Sequence, residues 1–183
     1  MFGLYTGETL LDRNIQLINI HGKNKWTQNK AILDGIMNGF KKSEEHMLFL
    51  FDNDMRFEIG QPAITDNMFF IGFQDIEDSI ESSCWVEILN SKYEGDLVFT
   101  EQEVDDLKSQ IPNDRSIGSN GKFYKKLDSL IVSKWLEVGK DVDELERIPS
   151  KGKESTDFLM TGITGVERIP KTIKEAFDKL MES

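Results

Sequence analysis

The stretch HMLFLFDNDMRF, residues 46–57, sets two aspartates one residue apart directly behind an unbroken apolar run. Met47 to Phe51 are too few residues for a free-standing helix and too continuous for a strand with one wet face. They predict a strand buried on both faces. Asp52 then falls at the carboxyl end of that strand, and in open α/β sheets ligands gather in the crevice outside the carboxyl ends. Asp52-Asn53-Asp54 is equally good turn chemistry, because Asx side chains cap their own backbone after many strands. The stretch by itself leaves both a turn and a metal site open.

Upstream, IQLINIHG (15–22) has the apolar pattern of a strand that ends in a turn, and WTQNKAILDGIMNGFKK (26–42) places Ile32, Leu33, Ile36, Met37 and Phe40 at helical spacing behind the N-cap candidate Thr27. A crossover between that strand and the one at 47–51 predicts a parallel sheet. Downstream, MFFIGF (68–73) predicts another buried strand, and the segment from Asp75 to Tyr93 predicts a helix with Ile80, Trp85, Ile88 and Leu89 on one face. Beyond residue 96 the texture turns helical. Thr100 and Glu103 form a capping-box pattern, Phe123, Leu127, Leu130, Ile131 and Trp135 recur at helical intervals, and two more helices flank a break at Gly162 to Pro170. SIGSNG (116–121) and PSKGKES (149–155) predict loops.

The chain has 183 residues, enough for one sizeable core, and its hydrophobic fraction of 38% with 12 phenylalanines excludes compositional disorder. No apolar run approaches the length that spans a bilayer, and the N-terminus lacks the layout of a signal peptide, so a cytoplasmic setting without membrane contact is the expectation. The single cysteine, Cys84, excludes an internal disulfide and a multi-cysteine zinc site. A formal net charge of −11 argues against a broad basic surface gripping nucleic acid unaided. It leaves room for an acidic metal site whose charge is offset by bound cations, with a partner supplying the grip.

A second acidic group, Asp75, Glu77 and Asp78, follows the strand at 68–73. If the two strands are parallel neighbours, both acidic groups emerge on one edge of the sheet. Mg²⁺ and Mn²⁺ are held by a few carboxylates together with substrate phosphate oxygens, so such a convergence predicts phosphoryl chemistry. The spacing Asp52-x-Asp54 helps in extended chain, where residues i and i+2 project the same way.

These residues resemble the TOPRIM domain of the OLD-type (overcoming lysogenization defect) ATP-dependent endonucleases of phage defence. The resemblance is carried by strand-Asp52-x-Asp54, by Asp75-Ile76-Glu77-Asp78 followed by Ile80 and Trp85, by the Gly-Lys turn in IHGKNKW, and by the ending IPKTIKEAFDKLM. It covers most of the chain, and its specific parts are the two acidic motifs. It implies an α/β, Rossmann-like parallel sheet flanked by helices at residues 1–95, with a mainly helical C-terminal appendage at 96–183. It also implies metal ligation by Asp52, Asp54 and Glu77, with Glu77 the further ligand or water-orienting base. A helical-region lysine would stabilise charge on the scissile phosphate, with Lys153 the candidate and Lys151 the alternative. The family's first strand ends in a catalytic Glu-Gly. Here Glu8 beside Gly7 is the counterpart, with only about six residues before the next strand, too few for a crossover helix. The expectation is a chain that has lost the first unit or has it encoded upstream. No Walker-type phosphate loop is present, so an ATPase domain or subunit is an expected partner beside DNA, with a homo-oligomer a further possibility.

The remaining candidates have plainer readings. His21 and His46 read as a turn and a strand flank, and Cys84 as a buried inert thiol. GSNGKF (118–123) lacks phosphate-loop spacing, and a Gly-Lys pair in a turn is commonplace. Trp26, Trp85 and Trp135 read as core, Glu81 and Glu87 as solvated faces, and Asp78 as a helix cap. The resemblance implies a Mg²⁺- or Mn²⁺-dependent DNA endonuclease; the rival expectation is a TOPRIM-like interaction module that has lost the chemistry.

Overall fold

The computed structural model describes residues 1–17, 28–32, 35, 48–60, 64–111, 121–150 and 152–182. Ile15–Leu17 have no regular structure, and residues 28–32 and 35 are helical; the rest of the strand expected at 15–22 and of the helix expected at 26–42 lies outside the described residues, as do His21, Trp26, His46 and Lys151.

The protein is mixed α/β and mostly helical. Two strands, β1 (Phe49–Asp52) and β2 (Met68–Ile71), pair in parallel with Phe49 opposite Met68 and Asp52 opposite Ile71. A short helix precedes them, α1 (Phe2–Thr6), and another, α2 (Met55–Ile59), lies within their connection. After β2 come α3 (Ile76–Ser79), α4 (Ser82–Lys92), α5 (Glu101–Ser109), α6 (Phe123–Glu137), α7 (Gly152–Met160) and α8 (Lys171–Met181). No helix among the described residues is long and apolar enough to cross a membrane.

The parallel pair forms between the strands at 49–52 and 68–71, joined by a connection long enough for a parallel return. Strand parity decides what each face buries. Phe49 and Phe51 of β1 join Met68 and Phe70 of β2, with Met55, in a small cluster on one face. Ile71, of opposite parity, belongs to the larger helical core. β1 is not buried on both faces: it alternates, and Leu50 on the Asp52 face is 43% exposed. The continuous apolar run concealed this, because Leu50 shares the exposed face of β1 with Asp52.

The larger core joins Ile71, Ile80, Trp85 and Leu89 to Phe99, Val104, Phe123, Leu127 and Ile131, so it runs across the boundary drawn at residue 95. The Thr100–Glu103 capping box is formed as the sequence indicates. The helix expected from Asp75 to Tyr93 is instead two helices, broken where Ile80 turns extended (φ −75, ψ 134). The break drops Ile80 fully into the core and frees its carbonyl to accept from the Lys108 ammonium.

The expected strand at 68–73 stops at Ile71 because Gly72 takes φ +76, a left-handed conformation natural to glycine. A Cβ at Gly72 would lie 1.9 Å from the Asp75 carbonyl oxygen and 2.3 Å from Asp78 Oδ1. Gly139, at φ +77, has nothing within 4 Å of the same position. Gly139→Ala is expected to cost about 1 kcal/mol from backbone strain alone, whereas Gly72→Ala should cost roughly 3 kcal/mol or more, because strain and collision add. Denaturant unfolding of the two variants checks the order, and equal losses would contradict the collision.

Candidate functional site

The loop that carries the second acidic group is held by its own side chains. The Asp78 carboxylate accepts from the backbone N–H groups of Phe73, Gln74 and Asp75 at 2.6, 2.8 and 3.1 Å. In return the Asp78 N–H donates to Asp75 Oδ1 at 3.4 Å, completing a capping box at the start of α3. Asp78 is therefore spent on the backbone, though as the third residue of the helix in a capping box whose N-cap is Asp75, not as the cap itself.

The loop after β1 is stitched to it. The N–H of Asn53 donates to the Ile71 carbonyl, the N–H of Asp54 to the Gln74 carbonyl, and Asn53 Nδ2 to the Phe73 carbonyl, at 3.1, 3.1 and 2.8 Å. The turn and the site are thus one structure: the middle residue of Asp-Asn-Asp makes the turn and leaves its neighbours' carboxylates for other work. Asp52 and Asp54 do not share an extended strand, since Asp54 already has helical backbone as the N-cap of α2, without a capping hydrogen bond from its side chain.

Lys122 closes the arrangement from a third element. It is the N-cap residue of α6, and its ammonium lies 3.4 Å from Asp54 Oδ2 and 3.5 Å from Asp75 Oδ2. Both separations exceed those of a tight charge-assisted hydrogen bond, so the ammonium is shared between the carboxylates. The Asp75 side chain is 5% exposed and that of Lys122 36%, so the pair runs from the interior to the surface.

One ammonium does not neutralise this group. Loss of solvation, with Asp75 nearby, pushes the Asp52 carboxyl up to about 6, although Asp52 keeps solvent contact as a residue. Loss of solvation, then the Asp75 and Asp52 charges, push Glu77 up to about 7. Burial raises Asp75 as well, against the pull of Lys122. Lys122 is itself raised, its burial outweighed by Asp75, Asp54 and Asp52 together. The structure thus brings Asp52, Asp54 and Glu77 into one field and adds Asp75 and Lys122.

It does not bring the other sequence candidates there. Glu8 lies beyond α1 and is paired with Arg13, which reaches it through Nε and through Nη2 at 3.2 Å. Lys153 is exposed on α7. Neither is among the principal charges acting on Asp52, Asp75 or Glu77.

Among the described residues no three carboxylate, histidine or cysteine side chains already converge on one point as metal ligands. The side chains there are carboxylates in excess over the one ammonium, and burial together with neighbouring negative charge holds Asp52, Asp75 and Glu77 above their ordinary range. Compared with known proteins, the chain matches no family model, no curated protein and no solved structure.

The raised carboxyls fix the sign of a pH dependence. Protonated Glu77 suits the fold, so this contribution is fully present below its unfolded value near 4.5 and is lost as pH rises through about 7. Glu77→Gln is therefore expected to be more stable than the parent at pH 8, by about 1 kcal/mol after allowing for solvent screening, with the difference closing towards pH 4. Denaturation midpoints across that range check it; a variant less stable at pH 8 contradicts the sign.

Proposed function

We propose that this chain is a TOPRIM-like, OLD-related domain that hydrolyses DNA phosphodiester bonds with Mg²⁺ or Mn²⁺, working beside an ATPase partner that supplies the grip on DNA. The observation that carries this reading is the under-neutralised carboxylate cluster at the carboxyl edge of a parallel strand pair, with one shared lysine at its surface. The same carboxylates form the two acidic motifs on which the resemblance rests.

In this reading Asp52, Asp54, Asp75 and Glu77 are the residues that would hold the ion. When bound, it supplies positive charge beside the scissile phosphate and polarises its oxygens. Glu77, held near neutrality, takes the proton of an attacking water. Lys122 swings from its shared position to the phosphate, where a point charge stabilises the extra negative charge of the transition state. It thus fills the role that the resemblance offered to Lys153. The net charge of −11 is why DNA affinity is assigned to a partner.

A second reading has its own support. Lys122 ties Asp54 to Asp75, and Glu8 is occupied by Arg13, an arrangement that also suits an interaction module with its acids retired to structural use.

Supercoiled plasmid incubated with the protein and Mn²⁺ separates the two. The nuclease reading expects nicking that chelation abolishes and that Glu77→Gln or Lys122→Ala slows by about 100-fold. Nicking that survives both substitutions removes the assigned site, and no nicking with or without an ATPase partner leaves the interaction module.

A further inference from the structure

We infer that Trp85 is a positioning residue that sets the α3 carboxylates against Lys122; this rests on the acidic cluster being the functional site. The cluster draws on three separate pieces of chain: the turn after β1, the start of α3, and the start of α6. α3 has four residues, too few to hold a helical conformation or a direction by itself, so its contacts must impose both. The Asp75–Asp78 box fixes its beginning, and the Lys108 ammonium takes the Ile80 carbonyl at its end.

Trp85 takes the middle. Its indole N–H donates to the backbone carbonyl of Glu77 at 3.0 Å. The same ring packs on Phe123, centroids 5.3 Å apart and planes at 54°, and Phe123 directly follows Lys122. Trp85 is 1% exposed and Phe123 0%, so neither has room to shift without disturbing the other. One side chain therefore grips the peptide that bears Glu77 and the helix start that bears Lys122. An indole can do both because it joins a large apolar face to a single donor that must find an acceptor when buried. Phenylalanine would fill much of the space and release the carbonyl. Core packing, the reading the sequence supports for Trp85, requires some acceptor for the indole; the structure makes that acceptor the Glu77 carbonyl.

The test is a double-mutant cycle on the full chain, Lys122→Met with Asp75→Asn, read by denaturant unfolding in the parent and in Trp85→Phe. Arg168→Met with Glu87→Gln, a bidentate pair that ties α4 to the turn before α8, serves as control. The Lys122–Asp75 coupling, about threefold or more in the unfolding equilibrium constant of the parent, is expected to fall towards one in Trp85→Phe while the control coupling stays. Coupling that persists in Trp85→Phe, or that is absent from the parent, overturns the inference. Should Trp85→Phe fail to fold, Phe123→Leu loosens the indole's other contact and is read in the same way. Mn²⁺ titration of the same proteins forms a separate arm: affinity should drop about threefold or more in Trp85→Phe, following the loss of coupling. A parent that binds no Mn²⁺ defeats the metal reading, while the coupling result still decides the role of Trp85.

Discussion

One carboxylate organises the edge of the sheet on which the site stands. Asp78 gathers three successive backbone N–H groups from the loop after β2. Those donors would otherwise sit close to the core with no strand or helix to satisfy them, and a buried donor left without a partner costs far more than its hydrogen bond gains. Gly72 is required because the loop must curl inside the reach of that carboxylate. With the loop fixed, the turn after β1 has carbonyls to bond to, at Ile71, Phe73 and Gln74, and the two acid-bearing segments become one surface. The hydrogen-bonding capacity of Asp78 goes into this work, while its charge still acts on Asp75.

That division of labour explains why neighbouring carboxylates of the same motif behave so differently. Asp75, Glu77 and Asp78 lie within one short segment, but only Asp78 meets a fan of donors. Burial, with Asp78 and Lys122 beside Asp75 and with Asp75 and Asp52 beside Glu77, leaves the other two and Asp52 driven towards protonation. Burial and repulsion are tolerable there because the surrounding core is extensive: Trp85, Phe123, Leu127 and Ile131 are essentially without solvent contact. A well-packed helical body thus carries an electrostatically unfavourable cluster at its margin, the kind of environment in which functional groups with shifted titration are found.

Much of this was legible in the chain itself. Short apolar runs marked β1 and β2, the Thr100–Glu103 spacing marked the start of α5, and acids behind each strand marked the edge that matters. Period and capping are local signals, and these features are local. Lys122 was not legible, because its significance depends on where α6 docks, and Gly-Lys in a turn carries no such information. The one available signal was position: a lysine immediately before a helix that opens with the fully buried Phe123 must emerge at an interior end of that helix. Glu8 pairs with Arg13 and Lys153 lies exposed on α7, placements that packing decides and local sequence does not. The break at Ile80 was hidden for a similar reason, since the apolar spacing across Asp75 to Tyr93 suits one helix, and the alternative is chosen by Lys108 on another element.

The origin of Lys122 on α6 also orders the events of folding. The strand pair and the loop held by Asp78 draw on nearby chain, whereas the ammonium arrives only when a helix far along the sequence has docked, and contacts across long loops form late. Until then the acids face one another with nothing between them. The charged centre is consequently complete only after α6 has docked, and a chain stalled short of that point holds its acids without the one cation they share.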